Sequence, residues 1–287
     1  CLIAATGMGG TFASNDDPPE SFFPGQGAVA GLMKTLAREW EGIRCRVVDV
    51  DLSESVSLLA ERLILEALKD DDWSEVGYSN GQRIRLKTVP SKFKGSRQQL
   101  EIRPGDPVLI TGGARGITSL VALELARRWQ PTLLLFGTTP LPSGLADDVS
   151  NALENPSEIK AMLFDRMSRS GRVPTPGELE LEYQTLVRGR ELLKNIEALR
   201  GAGSRVVYQQ ADVRDAKKMT RVISGWKQQY GDPVGLIHGA GLIKDKLIRD
   251  KSPEMFDRVL GTKLDGALNL IANLNPDHLK FTVLFSS

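Results

Sequence analysis

A run of small and apolar residues near the middle of the chain decides the fold, and it reads Val108-Leu109-Ile110-Thr111-Gly112-Gly113-Ala114-Arg115-Gly116-Ile117-Thr118. Its first three residues have the composition of a short buried strand, and residues 118–129 have the apolar spacing of a helix. A glycine-rich turn between a strand and a helix is the context in which a dinucleotide is bound. Gly112 permits the tight turn, and Gly116 lets the backbone approach a pyrophosphate at the helix N-terminus. We therefore expect residues 111–117 to bind the phosphates of a cofactor.

Strands alternate with helices downstream of this turn. The patterns predict strands at 132–136, 204–209, 235–238 and 281–286, and helices at 175–200, 217–230 and 255–274. Such alternation implies a parallel sheet covered by helices on both faces. The predicted fold class is therefore α/β, with a Rossmann-like parallel sheet.

The first ninety residues read as a separate α/β unit. Strands are predicted at 1–5 and 44–52, helices at 27–41 and 55–69, and a hairpin around Asn80-Gly81. Residues 91–106 are polar and lack periodicity, which makes them the expected linker between two domains. Residues 140–180 do not fit a simple crossover and read as an insertion, although Thr175-Pro176-Gly177-Glu178 is a good helix start.

Composition excludes several classes of protein. A formal net charge of +1 and dispersed cationic residues give no support to nucleic-acid or anionic-membrane binding. The two cysteines, Cys1 and Cys45, form no CxxC pair, so a disulfide framework or a zinc site is not expected and a reducing cytoplasm fits. No apolar run reaches the roughly 20 residues that a membrane-spanning helix needs.

The spacing TGxxxGxx at residues 111–118 resembles that of the short-chain dehydrogenase/reductase family, and in particular the ketoreductase domains of modular polyketide and polyunsaturated-fatty-acid synthases. Thr118 stands at the position of the family's usual third glycine, where its hydroxyl can still donate to a phosphate. The resemblance implies that an acyl-carrier-protein-bound β-ketoacyl thioester is reduced, in the company of other synthase domains in the same polypeptide.

The choice of cofactor can be argued from charge. NAD-selective sites usually end their second strand with an acidic residue for the ribose hydroxyls. Here that strand ends in Phe136-Gly137-Thr138-Thr139, which cannot repel a 2′-phosphate, and Arg115 in the glycine turn is placed to pair with one. Related ketoreductases commonly carry a further arginine where Thr138 stands. We expect NADPH, with Thr138 beside its adenosine.

The resemblance implies further cofactor contacts at the ends of two other strands. Asp212 and Val213 match the family's adenine-contacting segment. The segment that runs under the nicotinamide is matched by His238-Gly239-Ala240-Gly241. Small residues in this segment let a flat ring approach the backbone.

The same resemblance places the catalytic groups. Ketone reduction builds negative charge on the ketone oxygen, so the site needs donors aimed there and a proton source. Lys263 matches the ketoreductase lysine, and Ser287 follows it by 24 residues, as that pattern expects. The family's tyrosine is expected after Ser287, and Tyr183, Tyr208 and Tyr230 lie in other contexts. Lys244 replaces the first acid of a signature that continues at Asp245, so no product configuration is predicted.

The first ninety residues resemble the second half of the non-catalytic structural subdomain of such ketoreductases. We therefore expect two reductase-like subdomains, each incomplete: residues 1–90 of the structural one, a linker at 91–106, and residues 107–287 of the catalytic one. Because the first and last residues read as core strands, we interpret the chain as part of a longer polypeptide. This part lacks the expected proton donor, and we expect it to be inactive alone. The insertion at 140–180 reads equally as a lid over the acyl channel or as a surface excursion.

Two other functions remain open from the sequence. One is a different oxidoreductase of the same fold that acts on a small free substrate. The other is a nucleotide-fold scaffold that binds no cofactor and organises neighbouring domains.

Overall fold

The computed structural model describes residues 1–15, 22–92, 100–141, 155–169 and 173–286. The chain divides into two compact units. Unit 1 contains residues 1–96 and 246–251, and unit 2 contains residues 97–245 and 252–287.

Unit 1 is a four-stranded sheet flanked by two helices. Strands β1 (Leu2–Thr6), β2 (Cys45–Asp49) and β3 (Glu75–Ser79) are parallel, and β4 (Gln82–Ile84) pairs antiparallel with β3. Asn80 and Gly81 join β3 to β4 with φ values of +50° and +74°, as the predicted tight hairpin requires. Helix α1 (Gln26–Glu39) packs on one set of strand side chains and α2 (Val56–Leu68) on the other.

A segment distant in sequence belongs to unit 1. The short 3₁₀ turn Ile248–Asp250 brings Ile248 against the apolar cluster beneath α1. The backbone N–H of Ile248 donates to the Glu39 carboxylate at 2.6 Å.

Unit 2 contains a five-stranded parallel sheet in the order β7-β6-β5-β8-β9. The strands are β5 (Pro107–Thr111), β6 (Thr132–Gly137), β7 (Arg205–Gln210), β8 (Gly235–His238) and β9 (Phe281–Leu284). The order reverses between β5 and β8, and at such a switch point the carboxyl ends of the strands leave a crevice for ligands. The Rossmann-like α/β fold predicted from the alternating pattern is thus confirmed.

Alternate strand residues fill two cores on opposite faces of this sheet. Val108, Ile110, Leu133 and Leu135 pack beneath α3 (Gly116–Trp129) and the second half of α5 (Pro176–Gly201). On the other face, Leu109, Leu134, Phe136 and Leu236 pack beneath α6 (Ala216–Tyr230) and α7 (Pro253–Ile271). Strands buried on both faces are apolar throughout, which is why 132–136 could be predicted from sequence.

The described part of the expected insertion is helical. Helix α4 (Pro156–Ser168) packs on the first half of α5 through Ile159, Leu163 and Leu186. At the start of α5, the Thr175 hydroxyl accepts from the Glu178 backbone N–H, and the Glu178 carboxylate accepts from that of Thr175. This is the capping arrangement that the sequence predicts. Residues 142–154 and 170–172, also in the expected insertion, lie outside the described residues.

Candidate cofactor and active site

The glycine turn begins with a residue that must be glycine. Gly112 has φ of +71°, and its N–H donates to the Phe136 carbonyl of β6 at 2.9 Å. A Cβ added there would lie 2.9 Å from the carbonyl carbon of Gly239, the residue after β8. The turn and the strand-end segment thus approach each other backbone to backbone. Gly113 is equally constrained, because its Cβ would lie 2.6 Å from Ile110 Cγ2.

The end of the turn, in contrast, is open. Gly116 has φ of +58°, and an added Cβ would meet nothing within 4 Å. Helix α3 begins at this residue, and the neighbouring Ile117 side chain is 71% exposed. The first N–H groups of a helix have no partner within the helix and carry a partial positive charge. The side chains present therefore leave a surface that fits a pyrophosphate.

Arg115 lies beside this surface and is fixed by a residue that the sequence did not single out. Its Nε donates to Glu191 Oε2 of α5 at 2.9 Å. One turn further along α5, Asn195 Nδ2 donates to the Ala114 carbonyl at 2.8 Å. Their spacing of four residues places Glu191 and Asn195 on one helix face, which the sequence does show. That this face meets the glycine turn follows from tertiary packing, and no local signal gives it.

The end of β6 supplies a polar but uncharged wall. Thr138 is exposed, and its carbonyl accepts from Gln210 Nε2 at 3.1 Å. Tyr208 of β7 lies against Gly137 and donates its hydroxyl to the Thr139 carbonyl at 2.6 Å. Burial raises the pKa of Tyr208 to about 12, and the positive charge of Arg115 partly offsets that rise.

Asp212 and Val213 differ in exposure: the Asp212 side chain is 40% exposed, and Val213 is buried. The Asp212 carboxylate accepts from the backbone N–H and the guanidinium of Arg214, which hold its pKa below the usual range. Val213 is 5% exposed, packs in the core, and accepts from Asn269 Nδ2 through its carbonyl at 2.9 Å. Asp215, not Asp212, caps the N-terminus of α6.

His238 holds the ends of two strands and one helix together. Its Nε2 lies 3.1 Å from the carbonyl oxygens of both Thr262 and Lys263, and its Nδ1 lies 2.7 Å from Thr111 Oγ1. Because carbonyl oxygens only accept hydrogen bonds, we assign the proton to Nε2, and Thr111 then donates to Nδ1. Thr111 Oγ1 in turn accepts from the Ala240 N–H at 3.1 Å. Burial and the charge of Lys263 lower the pKa of His238, so the imidazole is neutral.

Gly239 accommodates the threonine that replaces the family's third glycine. A Cβ on Gly239 would overlap the Thr118 side chain, which is itself only 6% exposed. Thr118 is therefore a packing residue of α3. The expectation that its hydroxyl donates to a phosphate is wrong, because the side chain is buried against Gly239 beneath the turn.

Lys263 lies where the segment of residues 239–241, which follows β8, meets the last strand of the sheet. Its Nζ donates to the Phe285 carbonyl at 2.8 Å, and a Cβ on Gly241 would lie 3.2 Å from the same Nζ. Burial lowers the pKa of this ammonium. Ser286 is exposed at the end of β9, and Ser287 lies outside the described residues. The structure thus brings Lys263 to Gly241 and to the carbonyl two residues before Ser287.

Among the residues that the structure describes, no group of three or more histidine, cysteine, aspartate or glutamate side chains could hold a metal ion. Within the same residues, every helix is too short or too polar to cross a bilayer.

Comparison with known proteins identifies the family of the chain. The sequence model of the KR domain, the ketoreductase domain, matches residues 107–287, which is more than half of the chain. The chain belongs to the KR domain family. Residues 107–287 of this ketoreductase include the glycine turn, Lys263 and all five strands of the parallel sheet.

The curated relatives of this ketoreductase are much longer proteins. One is a polyunsaturated fatty acid synthase component of Thraustochytrium sp., which is 30% identical over 289 residues, covering 96% of this chain and 10% of that protein. Another is the polyketide synthase PksL of Bacillus subtilis, which is 37% identical over 264 residues, covering 90% of this chain and 5% of that protein. The chain thus spans about a tenth or less of these relatives.

Solved structures show the same fold. An N-terminal ketoreductase from the macrolactin assembly line superposes with a TM-score of 0.62 and 22% identity, over 99% of this chain and 46% of that one. The ketoreductase from the first module of phoslactomycin biosynthesis in Streptomyces sp. HK803 gives a TM-score of 0.62 at 23% identity, over 99% and 54%. The chain therefore spans about half of each.

Proposed function

We propose that this ketoreductase uses NADPH to reduce a β-ketoacyl thioester, carried by an acyl carrier protein of the same synthase, to a β-hydroxyacyl thioester. The observation that carries the proposal is the open end of the glycine turn at Gly116, with Arg115 beside it. A Cβ added to Gly116 would meet nothing within 4 Å, and the neighbouring end of β6 offers no carboxylate. A dinucleotide with an extra phosphate fits this charge distribution.

Each group has a role in the proposal. NADPH supplies the hydride. Gly116 and Ile117 hold the pyrophosphate at the N-terminus of α3, and Arg115 holds the 2′-phosphate. Gly239, Ala240 and Gly241 let the nicotinamide approach the backbone, with His238 and Thr111 fixing the segment through their hydrogen bonds to each other and to the Ala240 N–H.

Lys263 and Ser287 are assigned to the ketone. A partly buried ammonium beside Gly241 is placed to stabilise the negative charge that develops on the ketone oxygen. Ser287 is assigned as a hydroxyl donor to the same oxygen. None of the four tyrosines in residues 1–287 occupies the position that the resemblance expects for the proton donor, so the proposal assigns no proton donor within this stretch.

Unit 1 has a supporting role in the proposal. The loop after β1 is held by a buried carboxylate, because Asp49 accepts from the Thr6 hydroxyl and from the backbone N–H groups of Met8 and Phe12. Within this loop, a Cβ on Gly10 would overlap the Tyr78 carbonyl of β3. The loop is thus held by Asp49 and packed against β3. This supports a structural rather than a cofactor-binding role for residues 1–90.

Replacing Lys263 in the multidomain synthase tests the catalytic assignment. We expect Lys263→Ala to slow ketone reduction on the carrier about 100-fold or more, as the loss of one charge-stabilising donor does. The NADPH dissociation constant should change little, because Lys263 contacts none of the phosphate-binding groups. Reduction is followed by mass spectrometry of the carrier-bound product.

The matched control is Lys280→Ala. The ammonium of Lys280 lies at the surface, 3.3 Å from Asp106, and its replacement should leave reduction unchanged. Unchanged turnover in Lys263→Ala would remove that residue from the mechanism. A synthase that binds no NADPH at millimolar concentration would favour a scaffold over an enzyme.

A further inference from the structure

The pairing of Arg115 with Glu191 bears on which cofactor the site prefers. Glu191 Oε2 accepts from Arg115 Nε at 2.9 Å, and both side chains are about two-fifths exposed (41% and 40%). Arg115 is the residue to which the proposed function assigns the 2′-phosphate. An anionic side chain of the protein therefore already occupies part of the guanidinium that an anionic ligand group would use.

The helix segment that bears Glu191 is held against the glycine turn. Asn195, on the same face of α5, is tied to the Ala114 carbonyl at 2.8 Å, which fixes this part of the helix against the glycine turn. Three further residues of the same helix are buried in the core of the sheet: Leu192, Ile196 and Leu199. The backbone that bears Glu191 is thus anchored to the turn that bears Arg115.

Exposure keeps this pair weak enough to exchange. Ion pairs in contact with water contribute little free energy, because solvent screens the charges and both side chains lose freedom. A phosphate dianion binds a guanidinium more strongly than a single carboxylate does. A bound 2′-phosphate would displace Glu191 from Arg115 and would then lie close to its negative charge.

We infer that Glu191 is a specificity-determining residue, which competes with the 2′-phosphate for Arg115 and so reduces the preference for NADPH over NADH. This inference rests on the proposed function, since it presupposes that NADPH binds at the glycine turn. The end of β6 has no acidic residue, but in the proposed complex Glu191 would be an acidic residue near the adenosine ribose. That acid comes from helix α5 instead of from the strand.

Cofactor affinity of the Glu191→Gln variant tests the inference. We expect roughly two- to fivefold tighter NADPH binding, the size of effect that an exposed charge contact produces. NADH, which lacks the 2′-phosphate, should bind within about twofold of its original affinity. Dissociation constants for both cofactors are measured by nicotinamide fluorescence at low salt, and the gain for NADPH should shrink at about 1 M salt.

Two further variants make the test specific. Glu197→Gln removes the same charge from an exposed position of the same helix, roughly 240° around its axis from Glu191, and should leave both affinities unchanged. Arg115→Gln should weaken NADPH more than NADH. In the Arg115→Gln background the gain from Glu191→Gln should be much smaller, because the competed group is gone.

The outcomes separate the inference from the proposed function. If Arg115→Gln weakens NADPH selectively but Glu191→Gln leaves it unchanged or weakens it, competition by Glu191 is overturned while NADPH binding stands. Competition is equally overturned if the gain is undiminished without Arg115, or if Glu197→Gln gives the same gain. If no variant binds NADPH, or Arg115→Gln does not distinguish the two cofactors, the cofactor assignment itself fails.

Discussion

At the scale of single residues, the hydrogen bonds of His238 explain why a histidine stands at the end of a buried strand. Both ring nitrogens are used, one toward the carbonyls of α7 and the other toward the Thr111 hydroxyl that also binds Ala240. With a neutral ring, Nε2–H donates to the carbonyls of α7 and Nδ1 accepts from the Thr111 hydroxyl, so both ring nitrogens are paired. In the proposed site, His238 is therefore assigned a positioning role, because it is linked through Thr111 to the Ala240 N–H.

This neutrality gives a pH dependence with a definite sign. The folded-state pKa of His238 is lowered from 6.5, so the unfolded chain binds more protons than the folded one below about pH 6.5. The neutral His238 should contribute its whole stabilisation to the free energy of unfolding above that pH. This contribution should be lost as the pH decreases toward the folded-state pKa. We expect His238→Gln to flatten this loss below about pH 6.5, as measured by denaturant titrations.

The other histidine of the chain is the control. His278 is exposed, and its Nδ1 lies 3.6 Å from Asp232 Oδ2. The His278→Gln variant should keep the acid-induced loss of stability. If the loss disappears in that variant and persists in His238→Gln, the neutral, buried state of His238 is contradicted.

Some residues of the site could be predicted from sequence, and others could not. Gly112 and Gly116 stand in a local pattern of strand, turn and helix, and both have the positive φ that such a turn requires. Glu191 and the Thr118–Gly239 contact depend on residues more than 70 positions apart. A single sequence does not reveal such contacts, which is why the phosphate contact predicted for Thr118 is wrong.

At the scale of elements, helix α5 serves two purposes along its length. Its second half packs beneath the sheet through Leu192, Ile196 and Leu199, in the place of an ordinary crossover helix. Its first half carries α4 through Leu186. A long helix ending near Arg200 could be predicted from its start signal and its apolar spacing. The sequence does not predict which half of α5 packs against another helix, because that depends on the position of α4.

Matched leucine substitutions should separate the two halves. Leu163 and Leu192 are almost completely buried, at 0% and 1% exposure. Each change to alanine should cost about 2–5 kcal/mol in its own environment. We expect Leu163→Ala to loosen only α4 and the start of α5, and Leu192→Ala to lower the stability of the whole of unit 2.

Hydrogen exchange measures this difference peptide by peptide. Leu163→Ala should raise exchange in residues 156–186 and leave the glycine turn protected as before. Faster exchange throughout β5 and β6 in Leu163→Ala would show that the insertion supports the sheet, contrary to this division of α5.

At the scale of the whole molecule, the two units are built alike but differ where a ligand would bind. In unit 2, the turn after the first strand leaves Gly116 in open space. In unit 1, the loop after the first strand is held by the buried Asp49 carboxylate. The parallel strands of both units could be predicted from alternating strands and helices. The placement of residues 246–251 in unit 1 could not, since it rests on Ile248 packing in a core far away in sequence.

This contrast predicts one cofactor for each chain, bound at the turn of unit 2. The most direct measurement is a calorimetric titration of NADPH into the chain and into its Gly116→Ala variant. Binding should saturate at one NADPH per chain. Gly116→Ala should weaken it roughly tenfold or more, because the methyl group would hinder charge-assisted hydrogen bonds to the pyrophosphate.

Gly105→Ala provides the control for backbone strain. Gly105 also has a positive φ, +88°, with open space around its Cβ position, but it lies before β5 and away from the turn. We predict that Gly105→Ala retains the NADPH affinity that Gly116→Ala loses. Saturable binding that is equally strong in Gly116→Ala, or no binding by the unaltered chain at millimolar NADPH, would contradict a cofactor site at this turn.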